Sequence, residues 1–227
     1  MATGSGITEI ANIALTNLGE ATVSDVTTDN NERARLINSR FDDIRDTVFR
    51  SHPWNVTVRR TVLSAVEATP DWGFKYSFPF PTNVGADGNA ENCIRVLGLQ
   101  DHTTPYRIEG RSILTDANTI NVKWQARVLD MTTLDSILRS VIGLRIAWEL
   151  AEPLTGKTSL KDEMYKKYAV SLQEARSLDA QEGGSVERIE INTWLDARLG
   201  DYRTDYRPVD WPSDGTAYGT TYSWGKA

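Results

Sequence analysis

The spacing of the apolar residues changes twice along this chain, and that alternation limits the fold more than any single motif does. Ile7, Ile10, Ala11, Ala14, Leu15 and Leu18 recur at three- and four-residue steps, as one face of a helix requires. They predict a first helix over 7–18, with Thr3 or Ser5 to cap its start and Gly19 placed for a left-handed C-terminal cap. Ala34, Ile37, Phe41, Ile44 and Val48 repeat the pattern and predict a second helix over 30–50. Thr28 or Asp29 suits its N-cap, and Glu32 lies in the first turn, where the helix dipole favours an acid. Pro53 stops it, because the residue before a proline is pushed out of the α region.

From Val56 the period shortens to two. β-branched and alternating residues predict strands over 56–65, 74–78, 93–99, 106–108, 112–114 and 119–128. Pro79, Pro81, Gly85, Gly88, Pro105 and Gly110 punctuate them, and Gly110-Arg111 reads as a hairpin turn. Helical spacing returns near Thr132 or Thr133. Leu134, Ile137, Leu138, Val141, Leu144 and Trp148 make a wide apolar face that Pro153 should end. Leu160, Met164, Tyr168, Leu172 and Ala175 mark a last helix over 159–181, closed by Gly183-Gly184. The expected class is therefore α+β: two helical pairs forming one bundle, a small antiparallel β region inserted between them, and an extended C-terminal arm. The corresponding segments are 1–54, 55–130, 131–182 and 183–227.

A chain of 227 residues with 40% apolar and 25% charged residues can bury a core without disulfides or metals. Its formal net charge of −6 argues against a protein that clamps nucleic acid electrostatically. Cys93 is the single cysteine, which leaves no intrachain disulfide and no cysteine-based zinc site, and fits a reducing compartment. The first residues carry no basic segment followed by an apolar run, so no secretory leader is expected. No stretch approaches the roughly 18 consecutive apolar residues of a membrane helix.

Candidate chemistry is sparse. Gly156-Lys157-Thr158 imitates the end of a phosphate-binding loop, but Ala151 stands where that loop needs its first glycine. His52 reads as a helix-end histidine facing the last carbonyls, and His102 stands apart from it. Asp42 with Asp43, and Asp25 with Asp29, lack the alternating oxygens and glycine of a calcium loop. Asn55-Val56-Thr57 matches a glycosylation sequon in a chain with no sign of secretion. No serine lies in a Gly-x-Ser-x-Gly turn. No catalytic, cofactor-binding or metal-binding residue is assigned, and the chain is expected not to be an enzyme.

Two surfaces point instead to assembly. The polar face of the second helix carries both signs (Arg33, Arg40 and Arg45 against Asp42, Asp43 and Asp46), which suits register-setting contacts between like subunits. Beyond Gly200, Tyr202, Tyr206, Trp211, Tyr218, Tyr222 and Trp224 are strung along a Gly- and Asp-rich segment. They predict an arm that folds on a partner, with tyrosine and tryptophan as anchors.

Two ordered blocks carry a family resemblance. The first is Ala14-Leu15-Thr16-Asn17-Leu18-Gly19, Glu32-Arg33-Ala34-Arg35, Phe41-Asp42-Asp43-Ile44-Arg45-Asp46 and His52-Pro53-Trp54-Asn55, followed by Arg59-Arg60. The second runs Trp148-Glu149-Leu150-Ala151-Glu152-Pro153-Leu154-Thr155-Gly156-Lys157, with Tyr168 and Ala175-Arg176 downstream. Over roughly residues 5 to 182 the chain resembles the head-to-tail adaptors of short-tailed bacteriophages, the tail tubular protein A family. The resemblance implies a twelve-subunit homo-oligomeric ring in the virion tail, made in the host cytoplasm. Such a ring lies between portal protein and tail nozzle protein, with tail fibres as further possible neighbours. Genomic DNA passes through its lumen without specific binding, and it needs no cofactor. Another virion ring, such as a stopper or tail-completion protein, is the first alternative. A small hydrolase or ligand-binding module is the second.

Overall fold

A computed structural model describes residues 3–65, 70–85 and 88–183, and within them the chain is α+β. The predicted arm, with its tyrosines and tryptophans, lies outside the described residues.

Helix α1 (Thr3–Leu18) starts earlier than its apolar spacing suggests, so position 5 lies inside the helix rather than before it. Gly19 closes it at φ +74°, where Gly19 N–H donates to the Thr16 carbonyl (3.1 Å) and Glu20 N–H to that of Leu15 (2.9 Å). Helix α2 (Glu32–Ser51) is capped by Asn31, whose Oδ1 accepts from the Ala34 amide at 2.8 Å. Asp29, expected to cap it, instead accepts from the Ser24 amide (2.8 Å) and holds the preceding turn. The stripe Ala34, Ile37, Phe41, Ile44 and Val48 is buried. His52 is extended (φ −151°, ψ 147°), as a residue before proline should be.

Helix α3 (Ser136–Thr155) and helix α4 (Thr158–Glu182) form the second pair. Pro153 does not end α3. It lies in the last turn, gives up its own bond to the Glu149 carbonyl, and the helix still runs on to Gly156 at φ +67°. There the Gly156 amide donates to the Glu152 carbonyl at 2.9 Å. Gly156-Lys157-Thr158 is thus a helix–helix turn. α1, α2, α3 and α4 share one core, which also takes in Val128, Met131 and Leu134. Gly143 of α3 sets the approach to α1: a Cβ there would come within 2.8 Å of Ile13 Cγ2.

The β region contains β1 (Val58–Ser64), β2 (Tyr76–Pro79), β3 (Thr82–Val84), β4 (Ala90–Leu99), β5 (Tyr106–Glu109), β6 (Ser112–Thr115) and β7 (Thr119–Ala126). They make two antiparallel sheets, ordered β1-β7-β4-β3 and β2-β6-β5. Val56 and Thr57, expected as the start of a strand, belong instead to a 3₁₀ turn, Asn55–Thr57. Three exposed residues make up β3, so it has no alternation that could announce it. Pro79 ends the edge strand β2, a position that tolerates a missing N–H. Glu109 pairs with Ser112 across the hairpin, and Gly110 takes φ +58°. A second core of Phe78, Leu99, Ile113, Ile120, Val122, Trp124 and Ala126 lies within this region.

The end of α2 is where helices and sheet meet. Pro53 halts the helix and leaves its last carbonyls without intrahelical partners. Trp54 Nε1 donates to the Val48 carbonyl (3.0 Å), and Arg176 Nη2 from α4 donates to that of Ser51 (3.0 Å). Gln125 Nε2 from β7 reaches the carbonyls of Phe49 (2.5 Å) and His52 (2.8 Å). Its Oε1 accepts from Arg95 Nε at 3.0 Å, and the side chain is fully buried. Replacing Gln125 by Leu leaves the buried Phe49 carbonyl and the Arg95 Nε–H without this partner, whereas the His52 carbonyl keeps the Trp54 amide. The expected cost is about 3 kcal/mol, since each orphaned buried group costs on the order of 1–3 kcal/mol. Urea denaturation of the Gln125→Leu variant measures it; an unchanged midpoint would show that this amide does not hold the joint.

Candidate functional site

The polar face of α2 is the surface that sequence singled out, and the structure divides its residues. Arg33 Nη1 contacts Glu20 Oε2 at 3.2 Å, and Arg40 lies 3.9 Å from Glu149 of α3 while staying mostly exposed. Asp42 is 77% exposed and Asp43 is exposed beside it. Arg45 departs from expectation: its side chain is only 3% exposed. It meets Asp42 (2.8 Å) and Asp46 (3.0 Å), and its guanidinium lies 6.0 Å from the centre of the Phe41 ring. A guanidinium this buried needs carboxylates within its own chain. Asp46 is likewise committed inward, bound by Arg45 and by Arg127. Arg40, Asp42 and Asp43 are the members of the six that reach solvent most freely.

Behind this face α2 and β4 enclose an open cleft of about 770 Å³. Three arginines from three distant segments line it. Arg50, at the end of α2, donates from Nη1 to the Ile94 carbonyl at 3.2 Å. Arg111, in the β5–β6 turn, donates from Nη2 to the Cys93 carbonyl at 3.4 Å and lies over the Phe80 ring at 5.4 Å. Arg127, just after β7, binds Asp46. Each guanidinium carries five N–H donors, so each keeps some for a ligand. Asp43 and Asp46 share the lining, so the cleft presents both signs and fits a mixed-charge protein surface. None of the three arginines was singled out from sequence, because 61 and 16 positions separate Arg50 from Arg111 and Arg111 from Arg127.

The other candidates have structural duties. His52 does not face the carbonyls of its helix: its Nε2 is 3.2 Å from Asp179 Oδ2 of α4, and its ring meets Trp54 edge-on at 4.8 Å. Asn55 binds the same aspartate, donating from its backbone N–H to Oδ1 (2.9 Å). Asp25 accepts from the Thr27 amide (2.8 Å) and hydroxyl (2.7 Å), which lowers its pKa. His102 is exposed after β4. Among the described residues no three of His, Cys, Asp and Glu stand where they would hold a metal ion, and no helix is long and apolar enough to cross a membrane.

Cys93 lines the cleft as a buried residue. Burial pushes its thiol up to about 11 from 9.0, against a weaker opposing pull from Arg111. At neutral pH it is therefore a thiol and a poor nucleophile. The folded state holds the proton more tightly than the unfolded chain does. Its stabilising contribution is complete below pH 9.0 and lost as pH rises toward 11. Urea midpoints measured across that window should fall less steeply in a Cys93→Ala variant than in the parent; identical slopes would contradict the assignment.

No protein-family model matches this chain, and no curated protein sequence matches it.

Proposed function

We propose that this chain is a ring subunit of a short-tailed phage virion, the head-to-tail adaptor between portal and tail nozzle. The observation that carries the proposal is the state of the strand edges. Val62 on β1 is 64% exposed, Val84 on β3 is 68% exposed, and Tyr106 and Ile108 on β5 are exposed at 38% and 42%. These are three of the four edge strands of the two sheets. An edge that presents apolar side chains beside unpaired backbone invites another chain, and soluble monomers ordinarily defend against it. A subunit whose edges are covered by its neighbours has no need of that defence.

Two further features support the reading. The residues that carry the family resemblance include the fastening of the helical frame: Trp54 and Arg176 satisfy the end of α2, and His52 and Asn55 grip Asp179. Arg145 lies over the Trp148 ring at 4.2 Å, and Trp148 stacks with Tyr168 at 5.9 Å. A ring subunit uses two different, complementary faces. Arg40, Asp42 and Asp43 on α2, with the mixed-charge cleft behind them, supply one such face. The net charge of −6 suits a conduit that lets DNA slide.

The test is the mass of the purified protein alone and mixed with its portal ring. The free chain is expected as a monomer that joins the portal in a fixed ring stoichiometry. An Arg40→Glu, Asp43→Lys double variant should keep its thermal midpoint and assemble more weakly. Arg45 is excluded from that test, because reversing a buried arginine disturbs folding. Absence of association with a competent portal would overturn the adaptor reading.

A further inference from the structure

β1 pairs with β7 along its whole length, from Val58 opposite Gln125 to Ser64 opposite Thr119. Its outer edge pairs with no strand among the described residues. Along that edge Arg59, Thr61 and Leu63 are half-buried, whereas Arg60, Val62 and Ser64 are exposed. Directly opposite Arg60 stands Lys123, also exposed. Two cations facing each other across a ladder repel and cost stability. Neither side chain has an ion-pair or hydrogen-bond partner among the described residues.

The neighbouring Arg59 shows how this sheet treats an arginine with a structural duty. Its Nε and Nη2 bind the Glu91 carboxylate at 3.0 and 3.1 Å. Arg60 and Lys123 instead line a concave patch of about 570 Å³ with Val62, Gln100, His102 and Asn121, and no carboxylate belongs to its lining. Edge position alone does not explain the pair, because Lys123 lies on β7, an interior strand. Although the chain has six more acids than bases, none of its described carboxylates lines this patch.

We propose that this face receives an extended, carboxylate-bearing segment of a partner protein, added to the outer edge of β1 as a further strand. The main chain of β1 supplies the pairing, Arg60 selects an acidic side chain on the adjoining strand, and Lys123, one strand further in and opposite Arg60, adds to the positive field. Val62 packs against an apolar or β-branched neighbour in that strand. Nucleic acid fits the patch less well: two cations make few phosphate contacts, and the chain as a whole is anionic. The inference deepens the adaptor reading by naming what covers the β1 edge; the peptide probe needs no portal, so either can fail alone.

The probe is an octapeptide of alternating threonine and glutamate, with its threonine–glutamine counterpart as control, titrated into the isotope-labelled full chain. The glutamate peptide should bind about tenfold more tightly than the glutamine one, as charge complementarity across an interface requires. Amide shifts should concentrate at residues 58–64. An Arg60→Gln, Lys123→Gln double variant should keep its fold and bind both peptides alike. Equal binding of the two peptides by the parent chain would overturn the proposal. So would shifts away from β1, absence of binding, or preference for a short DNA duplex over the acidic peptide.

Discussion

Helix α2 is stopped abruptly, and a helix stopped abruptly must find outside partners for its last carbonyls. Pro53 imposes the stop. The partners come from three places: Trp54 in the following turn, Gln125 on β7 and Arg176 on α4. One local requirement thereby ties the first helical pair to both the sheet and the second pair. Asp179 reinforces the same point by holding His52 and Asn55, which lie more than 120 positions away in the chain. The helical core and the β core are separate clusters, so this polar joint is a principal link between them.

The joint has a consequence for the surface. Arg45 and Asp46 are drawn inward near it, with Arg127 from the end of β7 as the third member of the network. What remains outward on α2 is a smaller set, Arg40, Asp42 and Asp43. The β region is the opposite case: two small sheets with four edges among the described residues, three of them bearing exposed apolar side chains. A firmly fastened helical frame thus presents a lightly paired β region, an arrangement suited to a part that is completed by its neighbours.

The helices were legible because an apolar stripe at three- and four-residue spacing has few other uses. Ala34, Ile37, Phe41, Ile44 and Val48 are buried as that spacing requires, and Gly19 and Gly110 take the left-handed conformations their positions suggest. Most strands were legible from alternation, while β3 was not, since its three residues are all exposed. The polar residues were harder. Spacing shows that Arg45 shares a helix with Asp42 and Asp46, but not that Arg127 closes on the same group and draws it under cover. Pro153 misled for a related reason: the packing of α3 carries the helix past it, and the glycine three residues later sets the boundary. The three arginines of the cleft, and the opposition of Arg60 to Lys123, depend on long-range pairing that no local pattern records.

The central claim is that the strand edges of this chain are covered when it assembles, while the helical frame stays as it is. Hydrogen–deuterium exchange on the free chain and on the proposed complex with a portal ring tests this most directly. Amides of β1, β3 and β5 should exchange markedly more slowly in the assembly, and those of α3 should be unchanged. Equal exchange at all three edges in the free and assembled states would contradict the claim.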